Sequence, residues 1–142
     1  AMLEAAGNAA REEAAKLGCA PPKVVAVTVL TSMDAADLNA VGVPVAPADQ
    51  VVRLAELVRD SGLDGTVCSP KEVALVKEVW PEAFTVVPGI RPAGSNVGDQ
   101  KRVMGPREAL EAGASVLVIG RPITEAADPA GAAEAIARSI NG

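Results

Sequence analysis

Between two prolines and a Thr-Ser pair lies Lys23-Val24-Val25-Ala26-Val27-Thr28-Val29-Leu30, a run β-branched and apolar at nearly every position. A strand with one solvated face alternates apolar and polar residues. A strand that does not alternate is covered on both faces, which is the condition of a parallel sheet flanked by helices. The run therefore restricts the chain to α/β architectures, and its neighbours repeat the plan. Residues 2–17 are rich in Ala, Leu, Glu and Lys, and Gly18 stands where a left-handed helix cap belongs. After the first strand, Ser32 is placed to cap a short helix from Met33 to about Ala40. Pro44 and Pro47 mark a loop, and Val51, Leu54, Ala55 and Val58 then share one helical face, with Gly62 ending that helix.

Three more units follow. Leu63 to Cys68 reads as a short strand, and Ser69-Pro70-Lys71-Glu72 supplies an N-cap, a first-turn proline and a capping-box glutamate. The helix behind them turns Val73, Val76 and Trp80 toward the sheet. Phe84 to Val87 is the third strand. Pro106 to Ala112 is a helix closed by Gly113, and Ser115 to Ile119 is the fourth strand. Asp128-Pro129 opens the last helix, which runs to about Ile140 with Glu134 and Arg138 as an i,i+4 pair. The order is αβαβαβαβα with the short links of parallel β/α units.

Composition narrows the function. The 142 residues are one domain's worth of chain, 49% hydrophobic with a single Phe, a single Trp and no Tyr, so the core is aliphatic. A net charge of −5 argues against a nucleic-acid partner and for small-molecule work. No apolar run approaches the roughly 18 residues of a membrane span, and no signal peptide is visible. Cys19 and Cys68 lack metal-ligand spacing and read as reduced thiols of a cytoplasmic protein. Histidine is absent, which removes Ser-His-Asp and Cys-His catalysis and most transition-metal sites from this chain.

Three of the four strands end in polar or charged groups: Thr31-Ser32, Gly89 to Arg91, and Gly120-Arg121. Ligands of parallel α/β folds bind at the carboxyl ends of strands. Caps and turns account for Ser32 and Ser69 without any ligand. Arg91 and Arg121 are harder to explain that way, because a cation next to a buried strand is costly unless an anion waits there. The segment Val86 to Gln100 passes from strand into a loop rich in Gly and Pro. Glycines admit backbone N–H groups close to an oxyanion and arginine adds a forked donor, the ingredients of an anion pocket. Lys101 and Arg102, just beyond the loop, read as solvated charges.

Four motifs in order carry a resemblance: Ala26-Val27-Thr28-Val29-Leu30-Thr31-Ser32-Met33, Pro88-Gly89-Ile90-Arg91-Pro92, Gly98-Asp99-Gln100-Lys101-Arg102, and Ile119-Gly120-Arg121-Pro122-Ile123-Thr124. With them, the chain resembles the bacterial orotidine 5′-phosphate decarboxylase family. The resemblance implies a TIM-type (β/α)8 barrel that converts orotidine monophosphate to UMP and CO2, in UMP biosynthesis, without cofactor or metal. It covers residues 1–142 as strands five to eight of that barrel. The family's catalytic Asp and Lys residues, with an Asp-x-Lys-x-x-Asp motif, belong to the first three strands, and no such motif occurs here.

What the resemblance carries onto this chain is binding. Thr31 contacts the pyrimidine; Arg91 and Gln100 grip the phosphate from a mobile loop; Gly120, through its N–H, and Arg121 hold it from the other side. The implied partners are orotidine 5′-phosphate or UMP, the complementary amino-terminal half of the barrel, and a second copy in a homodimer. Without that other half, the sheet edges and the barrel-facing residues Val25, Val27, Val29, Val67, Val86 and Val116 or Val118 stay uncovered. Two other readings remain: a non-catalytic phosphate-binding half-barrel, and a related phosphosugar barrel enzyme, against which Thr31 and Gln100 speak.

Overall fold

A computed structural model describes residues 1–92, 98, 99 and 101–141. It contains α1 (Met2–Leu17), β1 (Val25–Val27), α2 (Ala35–Ala40), α3 (Pro47–Asp60), β2 (Gly65–Val67), a 3₁₀ turn (Pro70–Glu72), α4 (Val73–Val79), β3 (Phe84–Val87), α5 (Pro106–Glu111), β4 (Val116–Leu117), α6 (Arg121–Thr124) and α7 (Pro129–Asn141). The four strands form one parallel sheet in chain order. Every expected strand and helix is present, and the consecutive strand order is that of an uninterrupted arc of a (β/α) barrel.

Register explains which side is covered. Val27, Val67, Val86 and Val116 stand opposite one another across the sheet, so their side chains share a face. On that face Val27 is 58% exposed, Val116 40% and Val118 45%. The alternate row, Thr66, Thr85 and Val87, is fully buried beneath the helices with Val51, Ala55, Val73, Val76 and Trp80. Thr85 is tolerated there because its hydroxyl donates to the Gly113 carbonyl at 3.1 Å and accepts from the Ser115 N–H at 3.0 Å. The uncovered face is the expected one, with both Val116 and Val118 on it. Val29 is the exception: it lies past the end of β1 and is buried in the helix-packed core.

The strands are shorter than the apolar runs that announce them. β1 keeps pairing only through Thr28, whose N–H bonds the Val67 carbonyl at 3.1 Å, and the chain then turns, Met33 N–H to Leu30 carbonyl at 3.0 Å. β4 pairs through Val118, whose N–H reaches Val87 at 2.9 Å. Beyond that, β3 has ended at Pro88-Gly89, with Gly89 at φ +80°, and among the described residues no other strand pairs with β4.

Helix ends correct three expectations. Asp34, not Ser32, caps α2: its carboxylate accepts from Ala36 and Asp37 N–H groups, and Asp37 reciprocates on the Asp34 N–H at 2.9 Å. Ser69 accepts from Lys71 in a 3₁₀ turn, and Glu72 points inward instead of completing a capping box. Arg121-Pro122 is not merely a strand-ending loop but the start of α6. Gly18 is left-handed at φ 65° as expected, and Asp128 caps α7 by accepting the Gly131 N–H at 3.0 Å. Among the described residues no helix is long and apolar enough to cross a membrane.

Candidate functional site

At the carboxyl end of the sheet, Thr31, Pro88, Gly89, Arg91, Val118, Gly120 and Arg121 line a cavity of about 180 Å³. Residues from the ends of β1, β3 and β4 thus converge, as a parallel sheet dictates. Thr31 is buried beside Gly89. A Cβ on Gly89 would lie 3.3 Å from the Thr31 methyl group, so glycine lets the loop root come this close while holding a positive φ. Arg91 is half-buried; its N–H donates to the Met104 carbonyl at 2.9 Å and its guanidinium to the Ile90 carbonyl at 2.9 Å. Two larger clefts, about 370 and 360 Å³, lie elsewhere, between α5 and α7 and between α1, β1 and α3, and both are mainly apolar.

On the far wall Gly120 precedes α6, and its carbonyl accepts the Ile123 and Thr124 N–H groups at 2.8 and 3.1 Å. Among the described residues nothing lies within 4 Å of where a Cβ at Gly120 would stand. A short extra helix directly after the last strand is a recurrent part of barrel phosphate sites. Arg121 is 44% exposed and forms an ion pair with Asp99, which raises its pKa further. Its guanidinium also packs on Gly98, where a Cβ would stand 2.9 Å from Nη1. Of the five site residues read from the sequence, Thr31, Arg91, Gly120 and Arg121 line this one cavity. Gln100 lies outside the described residues.

The stem of the loop is tied down more firmly than its charges suggested. Lys101 Nζ reaches Asp34 and Asp37, each at 2.8 Å, and its N–H donates to the Thr31 carbonyl at 3.2 Å. That contact holds the Asp34 carboxyl at about 2, chiefly through the hydrogen bond from Lys101, and raises the Lys101 pKa. Arg102 is not solvated at all: it is buried and paired with Glu72 at 2.6 Å. Sequence reasoning missed this pair and Asp99 because 30 and 22 residues separate the partners, with no local pattern to link them. Among the described residues no carboxylate and no lysine lines the cavity, and no acidic or cysteine cluster is arranged to hold a metal ion.

A half-open arc of parallel β/α units, with two arginines and a glycine backbone lining a cavity at its carboxyl end, defines a segment of a (β/α) barrel. Comparison with known proteins agrees. Residues 1–136 match the family model described as "Orotidine 5'-phosphate decarboxylase / HUMPS family", and the chain belongs to that family. It is 60% identical over 134 residues to "Orotidine 5'-phosphate decarboxylase" of Paramagnetospirillum magneticum, covering 94% of this chain and 57% of the relative. With the enzyme of that name from Sphingopyxis alaskensis it shares 52% over 136 residues, 96% of this chain and 61% of the relative. The crystal structure of orotidine 5'-phosphate decarboxylase from Lactobacillus acidophilus superposes with a TM-score of 0.80 at 38% identity, over 99% of this chain and 58% of that one. The chain spans about three fifths of the length of the relatives it matches.

Proposed function

We propose that residues 1–142 are the carboxy-terminal half-barrel domain of an orotidine 5′-phosphate decarboxylase, converting orotidine 5′-phosphate to UMP and CO2. The observation that carries this reading is the convergence of Thr31, Arg91, Gly120 and Arg121 on one cavity at the carboxyl end of the sheet, in a chain of that family. In this reading Arg121, Arg91 and the Gly120 N–H hold the phosphate, Gln100 reaches phosphate and base, and Thr31 meets the pyrimidine.

Binding here is remote from the bond that breaks. Charged hydrogen bonds to a phosphate dianion are strong where water is thin. Their energy lowers the barrier only if it is used to close the site and orient the reacting end. Asp99, at the end of the loop after β3, pairs with Arg121, so an arriving phosphate competes with it for the same guanidinium. Carbon dioxide then leaves, and the carbanion left at C6 takes a proton from a lysine. Among the described residues neither lysine nor carboxylate lines the cavity; in this reading those groups come from the preceding four strands of the barrel. The exposed valine row and the β1 and β4 edges are where that half packs. A homodimer in the cytoplasm completes the proposal. On its own, the chain is a non-catalytic phosphate-binding half-barrel.

Calorimetric titration of the chain with UMP and with uridine tests the site. The reading expects heat of binding from UMP and none from uridine at the same concentration. Equal binding of both, or of neither, overturns it.

A further inference from the structure

Thr31 and the loop end at Gly98-Asp99 come from different chain segments, and one buried ion pair sits where those segments meet. Arg102 is 8% exposed and Glu72 4%, with Arg102 Nη1 2.6 Å from Glu72 Oε1. Arg102 Nη2 donates to the Val29 carbonyl at 3.2 Å and the Leu30 carbonyl at 2.9 Å. One guanidinium therefore holds both the chain leaving β1, directly before Thr31, and the turn leaving β2. Its own carbonyl lies against the root of the β3 loop, 3.1 Å from where a Cβ on Gly89 would stand. A planar fork with several fixed donors can bridge two segments at once, which a lysine's single ammonium cannot do in the same geometry.

Such a pair contributes little as a source of stability. Stripping two charges of water offsets most of their attraction, and well-packed apolar replacements are often neutral or better. This one does not stand among the aliphatic side chains under the sheet but at the strand ends, beside the cavity.

We propose that Arg102 and Glu72 are positioning residues: together they fix the backbone at 29–31 against the returning loop at 101–102. Thr31 and the loop end then face Arg91 and Arg121 in register. Adjacent contacts follow from this placement. The Lys101 N–H reaches the Thr31 carbonyl at 3.2 Å, and the Arg91 N–H reaches Met104 at 2.9 Å. Lys101 Nζ adds an exposed strap to Asp34 and Asp37, which solvent screens. The proposal rests on the phosphate-site reading above, and its test separates the two.

The test combines Arg102→Met with Glu72→Leu, which removes both charges and orphans neither, in the full 142-residue chain. Residue-resolved amide exchange and UMP calorimetry are the readouts. The Cys68 N–H, bonded to Val86 within the sheet at 3.2 Å, reports global opening. We expect its protection to stay within about twofold, while Lys101 and Arg91 N–H groups exchange about tenfold faster. UMP affinity falls about fivefold or more. Arg102→Lys, which keeps the charge opposite Glu72 but loses the fork, gives the same selective pattern and serves if the double variant does not fold. Unchanged exchange at Lys101, or equal acceleration at Lys101 and Cys68, overturns the proposal and makes the pair merely structural. Selective exchange with unchanged UMP affinity overturns it as well. If the unsubstituted chain binds no UMP, the phosphate-site reading fails, and with it the claim that the pair serves a ligand.

Discussion

Replacing Arg121 by alanine removes the guanidinium that the phosphate reading depends on most. Charge-assisted hydrogen bonds are about twice as strong as neutral ones, and losing one in a fully desolvated site costs on the order of a hundredfold in affinity. Arg121 does not reach that limit. It is 44% exposed, so solvent screens part of the attraction. It also gives up its ion pair with Asp99 when a phosphate arrives, so only the difference between two anions counts. The phosphate wins that exchange because it carries close to two charges and three acceptor oxygens where Asp99 offers one charge. The balance leaves a loss of about tenfold in UMP affinity for Arg121→Ala. Calorimetric titration measures it, with Arg138→Ala as control, since Arg138 pairs with Glu134 on the exposed side of α7. Any weak affinity for uridine should not change. If Arg121→Ala weakened nucleoside and nucleotide alike, Arg121 would be a structural partner of Asp99 and the reasoning would fail.

Burial pushes the Cys68 thiol up to about 12, with Glu72 nearby adding to the effect, whereas Cys19 is exposed. A thiol reagent should therefore label one cysteine in the native chain, Cys19, and both only after unfolding; fast native labelling at Cys68 would contradict the packing. Asp34, held at about 2 chiefly by Lys101, binds fewer protons folded than unfolded. Its strap is complete above the ordinary carboxylate value of 3.8 and is lost as pH falls through about 2. The Asp34 carboxyl carbon, followed by NMR, should titrate near the lower value; a midpoint near 3.8 would mean that the strap does not form. The exposed Val27, Val116 and Val118 and the two sheet edges should make the chain associate. Light scattering checks this: Val27→Lys with Val118→Lys should reduce the mass, and a monodisperse monomer without substitution would contradict it.

Those valines also show what the sequence makes readable. A parallel sheet was legible because Lys23–Leu30 and Phe84–Val87 are apolar without alternation. The face each valine takes follows from register, which the sequence left open between Val116 and Val118; the pairing puts Val27 and Val116 on one face, at opposite edges of the sheet. Strand ends were less legible. Thr28 to Leu30 has the composition of a strand, yet the chain turns once β2 has no more backbone to offer. The candidate site was legible where a short motif of glycine and arginine follows a strand, as in Gly120-Arg121. It was illegible where two distant charges meet. Nothing local in Ser69-Pro70-Lys71-Glu72 distinguishes a capping glutamate from one that turns inward to Arg102. The same holds for Arg102 beside Lys101: adjacent cations, one buried in a bridge between strands, the other strapped to α2 at the surface.

The proposed division of labour between this half-barrel and four further β/α units is tested most directly by turnover. The chain is mixed with a polypeptide carrying those four units from one of the orotidine 5′-phosphate decarboxylases it resembles, and CO2 release from orotidine monophosphate is followed. The account predicts release from the mixture, none from either component alone, and loss of most of the mixture's rate with Arg121→Ala at low substrate. Release by the purified chain alone would contradict it, because the chemistry would then reside here; so would an inert mixture in which both components are folded and bound to each other.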